Sequence, residues 1–253
     1  MSTQERSAAI VGATGGAGAT RLTVELAATL ARDGRSVAVF DASFATQGLS
    51  HYVHGRIDVD VTRLLTDDSV HQRAAMVDLG IDTPGTVDVC PAYASLERFA
   101  RAKSGEAADR FGEVVRRATE HYDHVLVDTP PVADNPSIAA VNAADRVALV
   151  VPPSKRGVDT LRRAEDRLAD IGSGADRVLA NRVADLDDHP VEPADVAIPE
   201  SEVADVAGAP VCVAGETGPY AQTVATAAEA VFNTQLDIEF PRGGLRSRLA
   251  SRF

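Results

Sequence analysis

The chain has 253 residues, 45% of them hydrophobic, with 37 acidic side chains against 25 basic ones, a formal charge of −12 and a pI near 4.9. That length supports one large core, and an acid excess of this size excludes a general nucleic-acid coat, which needs clustered Lys and Arg to neutralise phosphates. No apolar run approaches the roughly 18 residues of a membrane span, and MSTQERS lacks a signal-peptide core, so the expectation is a soluble, cytoplasmic protein.

In chain order, AAIVG (8–12) reads as a first strand. A glycine-rich run from Gly12 to Thr20 follows, then a helix marked by Leu22, Leu26 and Leu30. SVAVFD (36–41), TVDVC (86–90), HVLVD (124–128), RVALVV (146–151), RVLANRV (177–183), DVAI (195–198) and PVCV (210–213) read as further strands. Phe111, Val114, Val115 and Ala118 mark another helix between them. The strands are continuously apolar rather than alternating, as in a sheet covered on both faces. Alternation of strands and helices predicts an α/β fold, a doubly wound, mostly parallel sheet with helices on both faces and ligands beyond the carboxyl ends of its strands. One domain is expected over 1–235, with 236–253 as a tail set off by Pro241 and Gly243-Gly244.

Cys90 and Cys212 sit far apart in apolar runs and read as buried free thiols. The six histidines show no metal-ligand spacing. The bases are nearly all arginine, lysine standing only at Lys103 and Lys155, and this acidic, Lys-poor surface resembles proteins of salt-loving archaea, where excess carboxylates maintain solubility.

The glycine run fits two phosphate cradles. Gly12, Gly15 and Gly18 after a strand, with Asp41 closing the next one, resemble the dinucleotide-binding start of short-chain dehydrogenases. That family's Tyr-x-x-x-Lys pair is missing, because none of Tyr52, Tyr93, Tyr122 and Tyr220 has a lysine four residues on. The other cradle is a P-loop whose lysine has become Ala19.

Downstream, over residues 8 to 232, the chain resembles the MinD/ParA family of deviant Walker A P-loop ATPases. The family loop Lys-Gly-Gly-x-Gly-Lys-Thr-Thr is met by Thr14-Gly15-Gly16-Ala17-Gly18-Ala19-Thr20-Arg21, and its Asp-x-Asp with a following Gly-Leu by Asp41-Ala42-Ser43 and Gly48-Leu49. TVDVCPAYASLERFARA, HYDHVLVDTPP, ADRVALVVPPS, VLANRV and VAIPES resemble the remaining elements in order. The resemblance implies a P-loop NTPase fold. It implies that Gly15, Gly16, Ala17, Gly18, Ala19, Thr20 and Arg21 meet the phosphates, and that Asn181, with Arg182 beside it, meets the base. Thr20, Asp41 and Asp128 would serve Mg2+. The cofactor is then ATP or ADP with Mg2+, if any nucleotide binds.

The departures fall on hydrolysis. Ala19 and Thr14 stand where the family has lysines, and Ser43 where it has the second carboxylate. Losing a lysine that sees transition-state charge costs on the order of 10² to 10³ in rate, about 3 to 4 kcal/mol. The resemblance therefore implies a degenerate, non-hydrolysing scaffold or regulator in the positioning or partitioning of cellular components. Its partner would be a second copy or an active MinD/ParA relative, and no specific nucleic acid is expected. Arg21 is the nearest substitute cation, although in the first turn of a helix it more often pairs with an acid; Lys155 and Arg156 read as a solvated loop. A slow ATPase with a substitute cation and an NAD(P)-binding Rossmann protein are the alternatives. In the tail, GLRSRLASRF places Leu245, Leu249 and Phe253 four residues apart with Arg246, Arg248 and Arg252 flanking them, the pattern of a peripheral anchor at the inner face of the membrane or of a solvated basic tail.

Overall fold

In the computed structural model of the chain, residues 5–240 are described apart from 186–188, 192 and 214. Eight strands form one sheet: β1 (Ser7–Gly12), β2 (Ser36–Asp41), β3 (Val77–Asp78), β4 (Thr86–Cys90), β5 (His124–Thr129), β6 (Arg146–Val151), β7 (Arg177–Val183) and β8 (Val196–Pro199). Their spatial order is β3-β4-β2-β5-β1-β6-β7-β8, parallel throughout except for β3. The helices are α1 (Ala19–Arg32), α2 (Val61–Thr66), α3 (Gln72–Ala75), α4 (Leu96–Ala102), α5 (Gly105–Ala118), α6 (Asn135–Ala143), α7 (Lys155–Asp170) and α8 (Pro219–Phe232).

Successive strand residues feed opposite faces. Ala8 and Ile10 pack with Leu22, Leu26 and Leu30 of α1 and Val224 and Val231 of α8. Ala9 and Val11 pack on the other side, with Leu161 and Leu168 of α7. Phe111, Val114 and Val115 of α5 cover β2 and β5 on that second side, Phe111 meeting Phe40 and Phe44 edge to face at centroid separations of 6.5 and 6.1 Å. Each such apolar side chain contributes about 1.5–3 kcal/mol on full burial. The chain leaves central β1 toward β2 on one side and later returns to β6 on the other, so the loop after β1 lies at the reversal of strand order, where open sheets of this kind bind ligands.

The strands and the Leu and Phe stripes lie where the sequence predicts, within a residue or two at their ends. PVCV at 210–213 is not a strand: the N–H groups of Val211 and Cys212 donate to the carboxylate of Glu25, each at 2.9 Å, instead of to a ladder. Lys155 and Arg156 open α7 instead of lying in a loop, because Ser154 caps the helix by accepting from Gly157 N at 3.0 Å. The two-residue β3 escaped the sequence reading because it is too short to make an apolar run. Cys90 and Cys212 are free and buried.

Residues 236–240 lie against the body. Leu236 N donates to Glu229 Oε1 at 3.0 Å, Asp237 N donates to Asp33 Oδ1 at 2.7 Å, and the Arg32 guanidinium stands 4.9 Å over the Phe240 ring. The stripe of Leu245, Leu249 and Phe253 lies outside the described residues. Among the described residues, no helix is long and apolar enough to cross a membrane.

Candidate functional site

The glycine loop runs from β1 into α1. Ala13 N donates to Val150 O at 2.9 Å, anchoring the start of the loop to β6, and Ala17 N donates to Thr14 O at 3.2 Å, closing a turn. Gly16 and Gly18 have φ of +79° and +87°, a left-handed backbone that favours glycine. Among the described residues, the N–H groups of Gly15, Gly16, Gly18, Ala19 and Thr20 donate to no other backbone carbonyl. Five such donors therefore lie in the loop and first residues at the N-terminal end of a 14-residue helix, where a phosphate can be bound.

A clamp from β7 fixes this loop. Asn181 Nδ2 donates to Ala17 O at 2.9 Å, and a Cβ on Gly18 would come within 2.4 Å of that same nitrogen. Gly18 is thus required twice, by its dihedral and by the approach of Asn181. Next along, the register between β7 and β8 breaks at Asn181/Val183, and Arg182 takes a left-handed φ of +64°. The irregularity lays its guanidinium along the loop, Nη1 donating to Gly16 O at 3.4 Å.

Below the loop lie the carboxylates. Parallel pairing of β2 with β5 sets Asp41 opposite Asp128, and both are buried. Asp41 accepts from Ser43 N at 2.7 Å and from Ala92 N at 3.2 Å; Asp128 Oδ2 accepts from Thr20 Oγ1 at 2.7 Å. Burial pushes Asp41 up to about 6 despite the backbone N–H groups that favour its charge, and Asp60 adds repulsion. Burial and then the charge of Asp41 push Asp128 well above the usual carboxylate range. Among the described residues neither forms an ion pair. Two buried, mutually repelling carboxylates with a threonine hydroxyl form a hard oxygen set that suits Mg2+. Gly48 lets its turn close on this group, since a Cβ there would meet Thr20 Oγ1 at 3.2 Å.

Two cavities lie near the loop. One, of about 120 Å³, is lined by Arg21, Asn181, Arg182, Pro199, Glu200 and Tyr220, among others. The other, of about 310 Å³, lies against Thr14, Gly15, Pro131, Arg156, Arg163 and Arg167. Sequence reading missed Pro199, Tyr220, Arg163 and Arg167, which reach the site from distant elements and belong to no local motif.

The predicted site residues converge, with corrections. Ala17 offers a carbonyl to Asn181 while its own N–H is engaged with Thr14, so it is a loop brace and not a phosphate donor. Arg21 is not turned to the phosphate loop: its Nε donates to Glu25 at 2.6 Å and its Nη2 to Val203 O at 3.3 Å, because the buried carboxylate one turn on captures it. Asp41, the candidate ribose partner of a dinucleotide site, is fully buried at the carboxyl end of β2, its two oxygens accepting from Ser43 N and Ala92 N. Ser43 is buried, its Oγ 2.6 Å from Thr46 Oγ1. Lysine supplies no charge to either cavity; Lys103 pairs with Asp134 at 2.8 Å.

Residues 5–172 match the AAA domain family AAA_31. Over 176 residues the chain is 28% identical to an uncharacterised ATP-binding protein of Methanocaldococcus jannaschii, covering 70% of this chain and 64% of that relative's length. Among solved structures it is similar to the septum site-determining protein MinD of Pyrococcus horikoshii complexed with Mg-ADP, at 22% identity and a TM-score of 0.74, covering 88% of this chain and 94% of that one. It is also similar to a ParA family ATPase from Chlorobium tepidum, at 16% identity and a TM-score of 0.72, covering 88% and 98% of the two chains. The fold is the one these P-loop proteins share.

Proposed function

The chain belongs to the AAA domain family, as a P-loop protein of MinD/ParA type, and on that premise we propose that it binds an adenine nucleotide with Mg2+ without efficient hydrolysis. In this reading it is a scaffold or regulator in the positioning or partitioning of cellular components. The observation that carries it is a glycine loop with N–H groups unpaired among the described residues and with Thr20 bonded to Asp128, while Thr14 and Ala19 leave it without a lysine.

Gly15, Gly16, Gly18, Ala19 and Thr20 would bind phosphate oxygens through their N–H groups. Asn181 holds the loop and borders the cavity that would take the base. Thr20, Asp41 and Asp128 would hold Mg2+, which neutralises phosphate charge when bound. Ser43 has no carboxylate to orient an attacking water, and its hydroxyl is engaged with Thr46.

Titration calorimetry of the full chain with Mg-ATP, Mg-ADP and NAD(H), at high salt to suit its acidic surface, tests the reading. Preference for adenine phosphates over NAD(H), with weakening in Asn181→Ala, is expected. Tight NAD(H) binding that is lost in Asp41→Ala and kept in Asn181→Ala would reverse it.

A second reading, a slow ATPase, is favoured by one observation: the Arg182 guanidinium lies against Gly16, where it would face bound phosphate. The partner in either reading is a second copy or an active relative of the same fold. The tail residues Leu245, Leu249 and Phe253 extend the proposal to peripheral membrane contact. Co-sedimentation with anionic liposomes, compared between the full chain and Leu249→Glu, tests that contact; equal sedimentation refutes it.

A further inference from the structure

We infer that Arg21 is a positioning residue which, through Glu25, holds the outer wall of the base cavity; the inference rests on the nucleotide-binding reading above. Arg21 stands in the first turn of α1, directly after the phosphate loop. Its Nε donates to Glu25 Oε1 at 2.6 Å, and its Nη2 reaches Val203 O at 3.3 Å. Glu25 is fully buried, and its two oxygens also receive the N–H groups of Val211, at 3.1 and 2.9 Å, and of Cys212 at 2.9 Å. One guanidinium and one carboxylate on a single helix therefore grip the chain at 203 and at 211–212.

Between those grips, regular structure is limited to a three-residue turn at Val206–Gly208. Its own backbone bonds are confined to that turn, so the segment is placed by its tethers together with the packing of Val206, Ala209 and Val211 on the core. The segment is functional ground, because Val203 and Ala204 at its start, with Pro199, Glu200 and Ser201 just before it, line the 120 Å³ cavity that Asn181 and Arg182 also line. The helix that begins at the phosphate loop is thus tied by buried charge to the wall that would face the base. Arg21 stands where the resemblance expects a second threonine, and the tie is what the arginine adds.

The test uses the full chain with Arg21→Ala, Arg21→Lys and Glu25→Gln. Lysine keeps the charge and loses the fork that reaches Glu25 and Val203 together. Amide hydrogen exchange over 200–213 is measured without ligand, and binding is measured with Mg-ADP and with Mg-tripolyphosphate, which has no base. Losing charge-assisted hydrogen bonds in Arg21→Ala is expected to speed exchange over 200–213 by roughly 10-fold or more and to weaken Mg-ADP by about 10-fold. Tripolyphosphate affinity is expected to stay within about 2-fold of the parent, with Arg21→Lys intermediate. Should Arg21→Ala leave the chain unfolded, Arg21→Lys and Glu25→Gln carry the comparison. Equal weakening of both ligands with unchanged exchange would make Arg21 a phosphate ligand and overturn the inference. A parent chain that binds neither ligand refutes the nucleotide reading, and unchanged exchange in all three variants refutes the tether independently.

Discussion

Asp41 and Asp128 stand opposite one another at the carboxyl ends of β2 and β5, in register and buried, with no ion-paired cation among the described residues. Parallel pairing of two apolar strands places them there, so the sheet itself forces like charges together. Each is left with an incentive to stay protonated, which a divalent cation removes.

Mg2+ affinity should consequently follow the protonation of this pair. Asp41 is pushed up to about 6, so protons compete with the cation below that pH and affinity rises as pH passes upward through it. Calorimetry with Mg-ADP from pH 5 to 8 should show this rise. Asp41→Asn should bind less tightly at pH 8 and keep only the pH dependence of Asp128, which burial still holds high; affinity equal to the parent's across the range would refute the assignment of Asp41 to the metal.

Hydrolysis should be absent in the parent chain. Ala19 opens α1 beside the loop, and its Cβ lies 3.6 Å from where a Cβ on Gly12 would stand, so the position faces the loop interior. Thr14→Lys, Ala19→Lys and Ser43→Asp together should restore turnover, each lysine contributing on the order of 10² in rate. Phosphate release is the measurement. Turnover by the parent that vanishes in Arg182→Ala would instead establish Arg182 as a substitute cation.

Much of this was legible from local chemistry. The glycine run, the acidic ends of two strands and the Asn181 position are contiguous signals, each sitting where a buried strand meets a loop. What escaped depends on partners distant in sequence. PVCV has the composition of a strand, and only Glu25, 186 residues away, turns its N–H groups aside. Arg21 is a plausible phosphate cation on sequence grounds until Glu25 is seen to be buried next to it. Arg163 and Arg167 share a helix with many charges, and nothing local marks which of them face the loop.

The Asn181 clamp predicts a coupling between loop and base cavity. Asn181→Ala removes the donor to Ala17 O and should weaken Mg-ADP by about 1–3 kcal/mol. Gly18→Ala should weaken it too, through strain at φ +87° and the clash with Asn181 Nδ2. Combining Gly18→Ala with Asn181→Ala removes that clash, so the double variant should lose less than the two singles added. Strict additivity in the calorimetric cycle would show that the two residues act separately.

His124 opens β5 with its ring 4.4 Å from that of Phe232, buried, and neither ring nitrogen has a hydrogen-bond partner. Burial, with the nearby charge of Arg35, lowers its pKa to about 4 against an ordinary 6.5. Between those values the unfolded chain takes up a proton that the native one refuses. The stability His124 allows is therefore complete above about pH 6.5 and is lost as pH falls toward 4, by roughly 3 kcal/mol in total. Asp41 acts in the opposite sense, its raised pKa lending stability at low pH that fades as pH climbs toward 6. Asp128, raised by burial, acts in the same sense as Asp41, and a raw acid-denaturation curve mixes these contributions with that of His124. His124→Leu separates them, because it leaves Asp41 in place and removes only the imidazole. Urea unfolding of both chains at pH 7.5, 6, 5 and 4.5 should show the leucine variant gaining on the parent as pH falls, with the gap widening most between 6 and 4.5. A gap independent of pH would mean that His124 takes its proton inside the folded protein, and the burial argument would fail.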